Sequence, residues 1–373
     1  MRFQDIPGME KEKASLIEGV QADHVAHAQL FSGSDGSANL ALALAFATYV
    51  NCQQPTNTDA CGECSACQKN KKFIHPDVHF IFPTAATDKL KREDATSEKF
   101  LKEWRSFLSE QPFSNLEDWA SFYGWGDKRL IIPIKESRNI ISALSLKSFE
   151  GKYKIMLIWY PENMMAPAAN AILKVLEEPP GKTLFLLVSR DANALLNTIL
   201  SRVQQFSVPS FADDDIKQVL QTREGLTPEE IDRMAYEADG NMRQALEMKL
   251  EGVDVAEYFR QWMRHCFKVD FTEMVRMSND YQKQGKSFQQ SLLRTALILL
   301  RETLLEGVQA QQISRLPEKE KDFIQKFSKV FNPSKVAQIT PLISEAQYHL
   351  DRNANPKILF LDLSLTIAQI AKA

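Results

Sequence analysis

The 373-residue chain has little excess charge of either sign, no long apolar run and few cysteines, and each shortage excludes something. Its 45 Lys and Arg against 48 Asp and Glu leave a formal net charge of −3, and the pI is about 6.1. A surface so balanced does not attract polyanions as a whole, so nucleic acid has to be met by a local basic patch and strong autonomous DNA binding is not expected. No stretch reaches the roughly 18 consecutive apolar residues of a membrane span, and no membrane partner is expected. The opening MRFQDIPGMEKEKASLIEGV has an early Asp and Glu and no continuous apolar core, so a signal peptide is not expected and a cytoplasmic location is. Five cysteines do not make a disulfide scaffold in a chain of this size. Four of them fall within residues 52–67, and Cys266 stands alone.

The chain is long enough for two or three domains with cores of their own. Residues 1–208 alternate helical stretches with short β-like runs: HAQLF at 27–31, DVHFIF at 77–82, YKIMLIWY at 153–160 and TLFLLVS at 183–189. Runs apolar on both faces read as parallel strands covered by helices on two sides, which makes this part α/β. Within it, residues 83–133 are polar and aromatic without a strand period and read as a largely helical excursion over the surface. Residues 209–250 read as a small helical domain. In it Thr227 is the N-cap, Pro228 the first helical residue and Glu230 the partner in a capping box. Residues 251–373 carry long helical periods, ending in NPKILFLDLSLTIAQIAKA, whose apolar stretch around Ile358 to Leu365 implies burial in a bundle or against a partner.

What the four cysteines offer is a metal site. Cys52, Cys61, Cys64 and Cys67 stand in a C-x8-C-x2-C-x2-C pattern. Four soft thiolates in so short a span can surround one tetrahedral Zn²⁺ and leave it no open position, so the zinc expected here is structural, not catalytic. His75 and His79 lie nearby, but the segment around them reads as a strand entry, and the four cysteines are kept as the ligand set. The KNKK that follows, at 69–72, reads as a solvated basic turn.

A second motif is incomplete. LFSGSDGSANLALALAFA, residues 30–47, has the layout of a phosphate loop: a strand end, Gly33 and Gly36, then a helix rich in Ala and Leu. A working loop reads G-x-x-x-x-G-K-[ST], where the lysine reaches the β and γ phosphates and the hydroxyl binds Mg²⁺. Here the last three positions are Ala38, Asn39 and Leu40, so the cation and the hydroxyl are both gone. Each lost contact to a charged phosphate costs on the order of 1.5–3 kcal/mol. The acidic pair that holds magnesium after a later strand is missing too; the chain offers Trp159 and Tyr160 at that point. Two independent halves of a hydrolytic site are absent together, and no ATP hydrolysis is expected of this chain.

The order HAQLFSGSDG, the cysteine insert, HPDVH, SFEGKYKIMLIWYPENMMAPAANAILKVLEEPPGKTLFLLVS, LLNTILSRVQQF and GNMRQAL resembles the delta-prime family of bacterial DNA polymerase III clamp-loader subunits. ANAILKVLEEPP is its most specific piece. The resemblance covers most of residues 1–250, and NPKILFLDLSL is similar to the collar of those proteins. It implies a fold: an α/β AAA+ P-loop-type domain with a parallel sheet and a zinc-binding insert, then a small helical lid and an all-helical C-terminal collar. It also implies a role, that of a non-catalytic member of a hetero-pentamer with ATP-hydrolysing subunits and a delta subunit. That ring places the sliding clamp on primed DNA.

A trans-acting arginine of a Ser-Arg-Cys motif is matched by Ser201 and Arg202, with Val203 in place of the cysteine. Such a guanidinium stabilises negative charge on a neighbour's γ-phosphate. The plainer reading of Arg202 is an intrachain ion pair. Arg243 resembles the lid arginine that touches a subunit's own nucleotide, but with no such nucleotide to serve it is expected in a structural salt bridge. Glu177 and Glu178, before two prolines, are expected to end a helix. Two other function classes compete with the assembly subunit. One is an autonomous AAA+ ATPase with a divergent site, and the other a stand-alone zinc-containing DNA-binding module. The missing residues disfavour the first and the composition disfavours the second.

Overall fold

The protein is seen in a computed structural model that describes residues 1–126, 128–248, 255–314 and 318–372. The chain divides into two compact units. One comprises Met1–Leu226 with Ala238–Glu247, and the other Thr227–Glu237 with Met248–Ala373. The expected boundary at 250/251 lies outside the described residues.

The first unit is built on a parallel sheet of β1 (Ala28–Ser32), β2 (Val78–Ile81), β3 (Lys154–Trp159), β4 (Thr183–Ser189) and β5 (Gln204–Ser207), in the order β2-β3-β4-β1-β5. Every residue of β3 and β4 is buried, as the unbroken apolar runs predict for strands covered on both faces. Leu30 of β1 stands opposite Leu187 of β4 and Gln205 of β5. Strand β5 had no signal in the sequence: QQFS is an edge strand, largely exposed, and needs no apolar alternation. The helix Asn39–Val50 is buried from Leu40 to Val50, which is why it is apolar all round.

Residues 83–133 are less helical than expected, with only the helices Leu101–Glu110 and Leu116–Tyr123 and a short turn at Ser97–Phe100 among the described residues, and they do not lie idle on the surface. Trp104, Phe107 and Trp119 are fully buried, and the Trp104 ring packs on Phe82 at 4.2 Å and on Trp159 at 4.9 Å. Aromatic residues spaced without a clean period form a core of their own here, because large rings fill space in any register.

Two carboxylates tie this unit together in opposite electrostatic senses. Asp77, buried, accepts hydrogen bonds from the backbone N–H groups of Phe149, Glu150 and Gly151 at 2.6, 2.8 and 2.7 Å and so fixes the turn that enters β3. Burial alone would push its carboxyl up, but the three donors outweigh it and the group sits below the ordinary carboxylate range. Glu136, in the helix Ile134–Ser145, accepts from the Ser97 N–H at 2.9 Å, and burial pushes its carboxyl up to about 7.

For an acid raised on folding, the neutral form is the one the fold favours. The associated stability is complete below the unfolded value of 4.5 and is lost as pH rises through about 7. Glu136→Gln keeps an acceptor for Ser97 and removes the charge. Denaturant unfolding at pH 8 is expected to show the variant more stable by up to roughly 3 kcal/mol, with no such gain at pH 4. Equal stabilities at pH 8 would show that the carboxylate is well solvated.

The second unit is helical among its described residues. Helices Val255–Lys268, Phe271–Lys283, Lys286–Gly307, Glu318–Val330, Pro333–Asp351 and Pro356–Lys372 follow the long periods of the sequence. Their core is centred on Trp262 and Phe360, with rings 4.6 Å apart, and the Trp262 indole donates to the Ser364 hydroxyl at 2.8 Å. Thr227 and Glu230 make the expected capping box: the Thr227 N–H donates to Glu230 at 2.8 Å and the Glu230 N–H to the Thr227 hydroxyl at 3.3 Å. In the last helix Phe360 and Leu363 are buried as expected, while Ile358 stands exposed.

Candidate metal centre and vestigial phosphate loop

The metal site grows from the end of the helix Asn39–Val50. Cys52 follows that helix, Cys61 and Cys64 lie in the loop beyond, and Cys67 is in the helix Ser65–Lys71. Their four sulfurs lie within 4.8 Å of one another. Cys52 to Cys61 is 3.6 Å, Cys61 to Cys67 is 3.9 Å and Cys67 to Cys52 is 3.6 Å. Zn–S bonds of about 2.3 Å in a tetrahedron place sulfurs about 3.8 Å apart, which the separations among Cys52, Cys61 and Cys67 match.

The backbone supports thiolate at this place. The Cys61 N–H donates to the Cys52 sulfur at 3.3 Å and the Cys64 N–H to the Cys61 sulfur at 3.4 Å. The N–H groups of Cys64 and Glu63 bring the Cys61 thiol down to about 6, whereas burial pushes Cys67 and Cys52 up. A cation is what would hold all four ionised together. Neither histidine joins them. His75 Nδ1 accepts the Asp77 N–H at 3.2 Å and its Nε2 lies 3.5 Å from Glu150, while His79 is in β2. KNKK at 69–72 is not the solvated turn expected: Lys69, Asn70 and Lys71 end the helix Ser65–Lys71, Asn70 is buried, and Lys69 pairs with Glu150 at 2.6 Å.

The loop of Gly33, Gly36, Ala38, Asn39 and Leu40 runs from the carboxyl end of β1 into the helix Asn39–Val50, the position at which open α/β sheets bind ligands. Its interior is occupied by the protein itself. The Asn39 amide donates to the Gly33 carbonyl at 3.3 Å and to the Ser189 carbonyl at the end of β4 at 3.1 Å. The amide thus bridges the ends of β1 and β4.

Gly36, at φ +74°, is closed over by the distant segment Asn241 to Arg243. The Met242 N–H donates to its carbonyl at 3.1 Å, and a Cβ on Gly36 would lie 1.9 Å from the Asn241 oxygen. Asp35 adds a negative charge to the loop, held by the Tyr160 hydroxyl at 3.3 Å and by Arg190 at 3.6 Å. Trp159 is turned into the aromatic core and Tyr160 is buried, so the end of β3 carries no carboxylate pair.

The two arginines singled out in the sequence both have partners within the first unit. Arg243 is bidentate on Asp118, at 2.5 and 2.6 Å, and reaches Glu247 at 3.2 Å, the structural salt bridge expected of it. Arg202 donates from Nε and Nη2 to one oxygen of Glu177, at 3.2 and 3.1 Å, and from Nη1 to the Ser201 hydroxyl at 3.2 Å. Glu177 is the last residue of the helix Ala166–Glu177, as the two prolines beyond it predict. Sequence reasoning missed Asp118 and the pairing of Glu177 with Arg202. Neither lies at a helical or strand spacing from its partner that a local pattern could expose.

A family model described as DNA polymerase III, delta subunit matches residues 8–212. Over 191 residues the chain is 32% identical to the DNA polymerase III subunit delta' of Pseudomonas aeruginosa, covering 51% of this chain and 45% of that protein. Over 260 residues it is 25% identical to the DNA polymerase III subunit tau/gamma of Haemophilus influenzae, covering 68% of this chain and 31% of that protein. The chain thus spans less than half the length of these curated relatives. Among solved structures, a DNA polymerase III gamma subunit-related protein from Thermotoga maritima aligns over 95% of this chain and 99% of that one. The identity there is 16% and the TM-score 0.34, too low to bear on the architecture.

Proposed function

The chain belongs to the DNA polymerase III delta-subunit family, and from that membership we propose that it is a non-catalytic, delta-prime-like subunit of the replicative clamp loader. In this reading it joins ATP-hydrolysing subunits and a delta subunit in a hetero-pentamer and supports ATP-driven loading of the sliding clamp onto primed DNA. Residues 1–208 are the AAA+ nucleotide-binding-like domain, 209–250 the lid and 251–373 the collar that holds the ring. The observation that carries the reading is the filled loop: the Asn39 amide is bonded to Gly33 and Ser189, and no acid pair follows β3.

Without a cation for the triphosphate or carboxylates for magnesium, the chain contributes by what it lends. Arg202 is the group lent, with Ser201 supporting it. A guanidinium brought to a neighbour's γ-phosphate offsets the charge of the phosphoryl-transfer transition state. The four cysteines hold one structural zinc, which supplies folding energy to the insert and no chemistry, since its coordination would be complete.

The purified chain is expected to show no Mg²⁺-dependent ATP turnover above background. Asn39→Lys is expected not to create any, because the second half of the site stays absent. Turnover by the isolated wild-type chain that is abolished by changes at Asn39 would sink the proposal.

A further inference from the structure

Arg202 is already held in the isolated chain, and the way it is held is informative. Its guanidinium has five N–H hydrogens. Two go to Glu177 Oε2 from Nε and Nη2, and two from Nη1 go to the Thr198 carbonyl at 2.9 Å and the Ser201 hydroxyl. One Nη2 hydrogen is left over. The Thr198 and Ser201 acceptors are local, from the turn that carries Arg202 itself. Glu177 comes from another element, the end of the helix Ala166–Glu177.

A carboxylate in the last turn of a helix faces the negative end of the helix dipole and is disfavoured there. The guanidinium opposite offsets that repulsion. The pair is open to solvent, with Arg202 30% and Glu177 61% exposed, so it adds little to the stability of the fold. In the structure it engages the Nε–Nη2 edge of a long side chain from outside its own turn. It is also weak enough for a more highly charged phosphate to draw the arginine forward.

We propose that Glu177 is the positioning residue of Arg202. It holds the guanidinium by its Nε–Nη2 edge, so that the remaining Nη2 hydrogen and the charge are presented to the phosphate of a nucleotide on an adjoining subunit. The inference rests on the arginine-finger reading and adds to it the group that aims the finger.

The test is steady-state ATP hydrolysis by the reconstituted assembly containing Glu177→Ala, Glu177→Gln, Arg202→Ala or the Glu177→Ala/Arg202→Ala pair. Glu177→Ala is expected to lower stimulated kcat on the order of tenfold, less than the ~10²-fold that a 1 Å misplacement can cost, with KM for ATP and assembly unchanged. Glu177→Gln keeps an acceptor oxygen and is expected to recover most of the loss. The double variant should be no slower than Arg202→Ala alone, since Glu177 acts only through the arginine. If Arg202→Ala slows hydrolysis while Glu177→Ala leaves it unchanged or raises it, the positioning role is overturned and the finger stands. If Arg202→Ala has no effect, the finger and the positioning role fall together.

Discussion

Arg202→Ala is expected to lower clamp- and DNA-stimulated ATP hydrolysis of the reconstituted assembly at least tenfold while assembly survives. Arginine fingers supply on the order of 10³–10⁵ in rate at the site they serve. The observed fall is smaller where turnover is summed over ATPase sites that Arg202 does not face. Assembly survives because the side chain's own ion pair is exposed, and such pairs contribute under about 1 kcal/mol. Arg202→Lys discriminates further: lysine keeps the charge but lacks the planar fork that engages two acceptors at once, so it is expected to be nearly as slow as alanine. Hydrolysis unchanged in both variants would remove the finger while leaving the scaffold role open to its own test.

Metal removal is expected to have the largest structural effect. Zinc analysis of the purified chain should give about one ion per chain, and Cys64→Ser should weaken retention by more than the roughly 10–100-fold typical of changes outside the ligand shell. The consequence reaches beyond the cysteines, because the same loop clasps the N-terminal segment. Asp59, two residues before Cys61, accepts the N–H groups of Phe3 at 3.1 Å and Gln4 at 2.9 Å. Gly62, at φ +79°, lies so close under Arg2 that a Cβ there would sit 2.4 Å from its guanidinium. The Phe3 ring packs on Tyr49 at 5.7 Å, and the Tyr49 hydroxyl donates to Thr56 at 3.1 Å.

A chelator at neutral pH is therefore expected to expose residues 52–67 to protease and to speed hydrogen exchange in residues 2–6. The strands β3 and β4, buried along their whole length, should keep their protection. A metal-free chain with both segments still protected would refute the zinc assignment.

Four strands were legible because their buried residues fall in short, mostly apolar runs, and β3 and β4 are buried along their whole length. The fifth, Gln204–Ser207, was not, because an exposed edge strand imposes no such pattern. The cysteine cluster was legible because four thiolates need to meet within a short chain to hold one ion, which makes spacing itself the signal. The asparagine at position 39, where a phosphate loop carries lysine, was equally plain, since it is a fact about one position.

The distant partners of these side chains were not legible. Asn39 reaches Ser189 across 150 residues, Arg243 meets Asp118 across 125, and Arg202 finds Glu177 across 25. The sequence by itself determined which chemical groups the chain possesses and which it lacks, because side-chain identity and local spacing are carried by neighbouring residues. Only the tertiary structure decided where those groups are spent, because hydrogen bonds and ion pairs between distant segments depend on how the strands order themselves in the sheet, and no local pattern encodes that order.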